Sequence, residues 1–319
     1  MFGKRTDLAV EAHEIYSEQA EKKEELSGVR VENFTEGKIK ITKVVISDRY
    51  GAESLGKPMG TYITLECDRL MYDTAEYENM CGEIAKQIRS IANVTDKSVI
   101  LVAGLGNESI TPDALGPKVV SKLMITRHMK EYMSQYFGDS LRSVCAVAPG
   151  VLGTTGIESA EIVKGVCEKI KPDLVIAVDA LASRSMDRIS TTFQIADTGI
   201  CPGEGIGNRR IGLNRESLGV PVIAVGVPTV IDAVTIANDS IEMMAEKYSG
   251  NMREMVKNHS ESERKNMIAE SLSKNINSLV VTPKDIDEII EKVSKTVANG
   301  INLALHRDFD LEDIQSFVE

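Results

Sequence analysis

Four apolar runs dominate the middle of the chain: VILVAGLG from Val99, SVCAVAPG from Ser143, DLVIAVDAL from Asp173 and VPVIAVGVP from Val220. Each is apolar on both faces, and helical stretches separate them, which predicts a parallel sheet covered on both sides. The intervening helices are expected over Pro117–Met133, with Pro117 at the first helical position, and over Gly156–Ile170. A further helix begins after Thr282-Pro-Lys-Asp, with Ile286, Ile289, Ile290, Val293 and Val297 on one face. Upstream, Ile39, Ile41, Val44, Ile46, Ile63 and Leu65 fall in short β-like runs around a Gly/Pro-rich turn, an antiparallel ribbon over about 27–70. Residues 1–26 are highly charged and predict an exposed arm followed by a solvated helix. A second charged stretch, Ser249–Lys274, predicts a helical excursion over about 240–278. No linker, repeat or low-complexity tract divides the chain, so the expected architecture is one α/β domain. Its core is a doubly wound, mostly parallel sheet with helices on both faces and a small N-terminal antiparallel β ribbon.

Composition narrows the field. The 319 residues carry 37 Lys and Arg against 48 Asp and Glu, a net charge of −11, which argues against a protein that coats nucleic acid. With 8 Tyr, 6 Phe and no Trp, the core must be aliphatic and a base-stacking platform is not expected. The apolar runs are shorter than about ten residues, far from the roughly 20 that cross a bilayer, and the N-terminus lacks an apolar secretory segment. A cytoplasmic protein without membrane contact is expected. Five widely spaced cysteines without a C-x-x-C pair predict reduced thiols.

In open α/β sheets, chemistry gathers in the loops at the carboxyl ends of the strands. Two acids stand there: Asp113, in GLGNESITPDALGP, and Asp179, which closes DLVIAVDAL and should be partly desolvated. If these strand ends are adjacent, the carboxylates form a coupled pair suited to acid/base hydrolysis. Spacing alone leaves each equally readable as a loop cap. Gly104-Leu-Gly106 opens like a dinucleotide fingerprint, but Ser109 occupies the place of its third glycine, so a tight turn explains both glycines better. Asp197-Thr198-Gly199 matches the triplet of pepsin-like proteases, yet only one copy is present, and a turn is the preferred reading. The glycine-rich CPGEGIGNRRIG, with Arg209 and Arg210, reads either as an anion nest or as a connecting loop. The four histidines form no H-E-x-x-H or close pair, and a metal held by Asp113, Asp179 and one remote ligand is neither required nor excluded.

Long segments of the chain resemble the germination proteases of spore-forming bacteria: RTDLAVEAHE, VAGLGNESITPDALGP, VDALASRS, QIADTGICPGEGIGNRRIGLNRESLGVPVIAVGVPTVIDA and LHRDFDLEDI. The resemblance implies a fold similar to that of hydrogenase maturation proteases. It further implies an endopeptidase of the spore core that begins degradation of small acid-soluble proteins, made as a self-processing zymogen and assembled into homotetramers. The family's two proposed catalytic aspartates fall on Asp113 and Asp179. No histidine lies in a matching motif, so no cofactor or metal is carried over. Family substrates are cut after the acid of a Thr/Ser-Glu-Ile/Phe-Ala type sequence, and Thr6-Asp7-Leu8-Ala9 is a near copy. Self-processing between Asp7 and Leu8 is therefore expected, with 1–7 a propeptide-like arm and 8–319 the peptidase domain. The alternatives are a metal-dependent maturation-type peptidase on the same fold, or a non-catalytic regulator that binds peptides or nucleotides.

Overall fold

A computed structural model of the chain describes residues 6–19, 26–68, 73–132, 141–201, 211–247, 256, 258–272 and 279–318. The strands are β1 (Val29–Glu36), β2 (Ile39–Ile46), β3 (Gly60–Glu66), β4 (Val99–Gly104), β5 (Ser143–Val147), β6 (Leu174–Ser183), β7 (Thr192–Ala196), β8 (Val222–Asp232) and β9 (Val280–Val281). Among the described residues they form one sheet in the order β1-β2-β3-β7-β8-β6-β4-β5, with β9 beside the end of β8. The half built from β8, β6, β4 and β5 is parallel, while β1, β2, β3 and β7 run antiparallel to their neighbours. The predicted ribbon is thus no appendage, because β3 pairs with β7 and β7 with β8, making a single mixed sheet.

The longer helices are α1 (Ala9–Gln19), α2 (Arg49–Leu55), α3 (Thr74–Ile91), α4 (Leu115–Val120), α5 (Ser159–Ile170), α6 (Ala233–Lys247), α7 (Glu261–Leu272), α8 (Ile286–Leu305) and α9 (Leu311–Val318). Alternation along the strands sends successive side chains to opposite faces. On one face Ile100, Val102, Ile176, Val178, Ile223 and Val225 pack against α3, α4 and α8, including Ile290, Val293, Val297 and Ile301. Each such aliphatic side chain contributes roughly 1.5–3 kcal/mol on full burial. On the other face Leu101, Ala103, Val175 and Ala177 meet Ala160, Val163 and Cys167 of α5. That face is also covered by α1 and α2, which lie over Val44, Ile46, Tyr62 and Ala196.

Three local expectations need correction. The ribbon's Gly/Pro-rich turn contains α2, started by the Asp48 side chain, which accepts from the Gly51 N–H, and ended by Gly56 in the left-handed region. Pro117 is the third residue of α4, not the first. The helix after residue 8 is not solvated: Leu8, Ala9, Val10, Ala12 and Ile15 are buried. Its acids find partners far along the chain, which a local reading of charge cannot see. The excursion expected over about 240–278 contains the end of α6 and α7; residues 248–255, 257 and 273–278 of it lie outside the described residues. No described helix is long and apolar enough to cross a membrane.

Candidate active-site cleft

The GLGN turn after β4 is shaped by close backbone approach. Gly104 passes so near α4 that a Cβ there would lie 2.2 Å from the Gly116 carbonyl oxygen. Gly106 has φ +112°, and its Cβ would lie 2.0 Å from the Asp113 carbonyl oxygen. Both glycines therefore serve the turn, and the turn holds Asp113: the Asn107 N–H donates to Asp113 Oδ2 at 2.8 Å. The Thr229 hydroxyl donates to the Pro112 carbonyl at 2.7 Å, tying this loop to β8. Asp179 arrives from the sheet itself. It is 5% exposed, between β4 and β8, and does not close its strand as expected: it is the sixth of ten residues of β6, which stays paired with β8 as far as Ser183.

Asp113 and Asp179 line one cavity of about 410 Å³, a size suited to side chains of a bound peptide. It lies on the sheet face that α1 and α5 flank. Asn107, Gln194, Thr198, Asn214 and Gly226 contribute to its wall.

Asp7 lines the same cavity. Its N–H donates to the Ala182 carbonyl at 3.0 Å, and its Oδ2 accepts from the Ala182 N–H at 2.8 Å. Gln194 Nε2 donates to the Asp7 carbonyl at 3.1 Å, while Gln194 Oε1 accepts from the Ala9 N–H at 2.7 Å. The Lys57 ammonium donates to the Thr6 carbonyl at 3.1 Å. Leu8 is fully buried against Val10 and Leu181. Behind this segment, buried Glu11 accepts from the Arg184 N–H at 2.7 Å, from the Ser185 N–H at 3.0 Å and from the Thr6 hydroxyl.

The other residues singled out from sequence fall differently. Exposed Asp197 accepts from the Thr61 N–H at 2.7 Å, an acid that caps the start of β3. Arg209 and Arg210 lie outside the described residues, although Thr198, Gly199, Ile200 and Cys201 before them reach the cavity wall. The cysteines are all free, with Cys67, Cys81 and Cys167 buried. His306 is buried at the end of α8. No group of three or more His, Cys, Asp or Glu suited to a metal ion occurs among the described residues. Sequence reasoning missed Gln194, Lys57, Glu11 and the Ala182 backbone. Lys57, Gln194 and the Ala182 backbone contact the arm across 51 to 187 residues, and Glu11, besides bonding Thr6 nearby, reaches Arg184 and Ser185 173 and 174 residues away, so no local pattern marks them.

An α/β sheet with a cleft lined by two aspartates and by Asp7 of the chain's own arm is an arrangement suited to a peptidase. The comparisons narrow this to a family. The family model described as germination protease matches residues 9–259 and 254–318. Curated germination proteases are similar along almost their whole length: that of Clostridium tetani is 47% identical over 98% of this chain and 99% of its own. The protein of Caldanaerobacter subterraneus is 49% identical over 96% of this chain and 95% of its own. That of Bacillus cereus is 38% identical over 98% and 96%, respectively. The chain belongs to the germination protease family.

Proposed function

We propose that this protein is an endopeptidase that cuts after an acidic residue, working through Asp113 and Asp179, and that it is made as a zymogen processed between Asp7 and Leu8. The observation that carries the reading is that Asp7, the acid preceding the proposed cut, shares its cavity with both aspartates. In this mechanism one carboxylate takes a proton from the attacking water, and the other, protonated, gives one to the leaving amine. Burial of Asp179 suits a group that must hold or exchange a proton away from bulk solvent. The acid before the cut is recognised by the Ala182 N–H, with Lys57 nearby in the wall. Asp7 occupies the cleft until residues 1–7 are cut away, which keeps the uncut chain silent. Small acid-soluble spore proteins are the proposed substrates, the spore core the proposed site of action and a homotetramer the proposed assembly, supported by membership of the family.

The test pairs the full chain with a form lacking residues 1–7, each mixed with a peptide containing Thr-Glu-Ile-Ala, and identifies products by mass spectrometry. Cleavage after Glu by the shortened form, faster than by the full chain and indifferent to chelator, is the expected result. Loss of cleavage only in chelator would move the reading to a metal-dependent peptidase. Absence of cleavage by the folded, shortened form would remove the peptidase mechanism.

A further inference from the structure

Gln194 is a polar residue in the middle of an apolar strand, 8% exposed, between Phe193 and Ile195 of the main core. Those two neighbours point to the α3 and α8 face, so Gln194 points to the opposite face, where the cleft lies. In the sheet register Gln194 stands opposite Gly226 of β8, and Gly226 stands opposite Asp179 of β6. Directly paired residues share a face, so Gln194, Gly226 and Asp179 form one row across three strands. Its ends are two strand spacings, about 10 Å, apart. The middle of the row bears no side chain of its own, and Leu181, which packs against Leu8 of the arm, fills the space over it: a Cβ at Gly226 would lie 2.5 Å from Leu181 Cδ1.

The peptide found against this row is residues 7–9. Gln194 Nε2 donates to the carbonyl of Asp7 and Gln194 Oε1 accepts from the N–H of Ala9, so a single amide holds the chain on both sides of Leu8. A primary amide is the neutral side chain that offers a donor and an acceptor on one rigid fork. The Ala9 bond also fixes which end of the amide faces the Asp7 carbonyl.

We propose that Gln194 is a substrate-binding and carbonyl-polarising residue: it grips the N–H of the second residue after the cut and donates to the carbonyl of the bond being cut. The inference rests on the reading that Asp7–Leu8 is a processing site, because only then is the Asp7 carbonyl the one attacked. As water adds to that carbonyl, its oxygen gains negative charge and the Nε2–H bond strengthens. A donor so placed contributes about 10²–10³-fold in rate. The acceptor half contributes register, placing the acid before the cut next to the Ala182 N–H.

The experiment follows self-cleavage of the full chain by intact mass from pH 7 down to pH 4 in wild type, Gln194→Ala and Gln194→Glu. Circular dichroism checks the fold, and Gln194→Glu, being isosteric, serves where the alanine variant does not fold. At pH 7 both variants should cleave Asp7–Leu8 about 10²-fold or more slowly, since neither offers a donor. As pH falls through the carboxyl range, the introduced acid becomes protonated and donates again. The rate of Gln194→Glu divided by that of wild type should then rise at least tenfold, while the alanine ratio stays flat. Taking ratios cancels the titration of Asp7, Asp113 and Asp179, which face the same cavity. Cleavage within threefold of wild type in both variants, or equal losses at every pH, would overturn the role of Gln194 while leaving the processing site intact. A wild-type chain that is never cut at Asp7–Leu8 would instead overturn the processing reading, and this inference with it.

Discussion

Asp113 and Asp179 reach the cleft by unlike routes, one on a glycine-shaped turn and one from within a buried strand. Asparagine keeps the shape of each side chain but cannot exchange the proton. Asp113→Asn and Asp179→Asn should each lower turnover of the shortened form about 10²–10⁴-fold, with the fold intact by circular dichroism. Full turnover in both would sink the assignment. At the far end of α8, His306 is 1% exposed, and burial pushes its pKa down to about 4. The unfolded histidine, with its ordinary value of 6.5, takes up a proton first as pH falls. Its contribution is therefore complete above 6.5 and is lost between 6.5 and 4, on the order of 3 kcal/mol in all. Urea midpoints at pH 7 and pH 4.5 should differ less in His306→Gln than in wild type, and the ring's NMR signals should not titrate above pH 5 in the native state.

Among the elements, α1 is tied to the sheet by ion pairs as well as by apolar packing. The Arg188 guanidinium binds Glu14 with two hydrogen bonds of 2.6 and 2.7 Å and Glu66 of β3 with one of 2.8 Å, and lies 3.4 Å from Glu11. Burial works against the charge of Glu66, but the hydrogen bonds and charges of Arg188 and Lys40 outweigh it and hold its pKa below the ordinary value. A carboxylate of this kind stabilises the fold above pH 4.5 and ceases to as pH falls through its lowered value. Removing the cation leaves buried acids uncompensated, at a cost of about 3 kcal/mol. In Arg188→Met, hydrogen exchange across Ala9–Gln19 should accelerate well beyond that of α8. Equal protection in variant and wild type would show that apolar packing alone holds α1. Here too lies the reason a local reading misjudged this helix. Glu11 and Glu14 look solvated beside their sequence neighbours, whereas Arg184, Ser185 and Arg188 supply their partners from the far side of β6.

For the molecule as a whole, the charge of −11 sets the long-range field. Duplex DNA should show no binding in fluorescence anisotropy at physiological salt, since binding to phosphates rests on neutralising them with cationic side chains. Submicromolar affinity would contradict this. The parallel half of the sheet was legible in the chain because β4, β6 and β8 are buried on both faces, and such strands read as unbroken apolar runs. So was α8, whose apolar spacing matches the face it buries; Asp113 and Asp179, both singled out from the chain, line one cavity, the first on the turn after β4 and the second within β6. β7 was not, since five residues with a glutamine at their centre carry no clear period. The contacts that Asp7 makes with Ala182 and Gln194 were likewise invisible, for these partners lie 175 and 187 residues away. The sequence by itself determined the parallel strands, the helices α5 and α8 that cover them, the membership of the family and the acids available to the cleft. All of these follow from side-chain chemistry repeated at short range. Only the tertiary structure decided that the antiparallel ribbon joins the main sheet through β7, that Gln194, Gly226 and Asp179 share a row, and that Asp7 lies in the cleft. Those facts depend on strand order and register, which are set by packing between segments far apart along the chain.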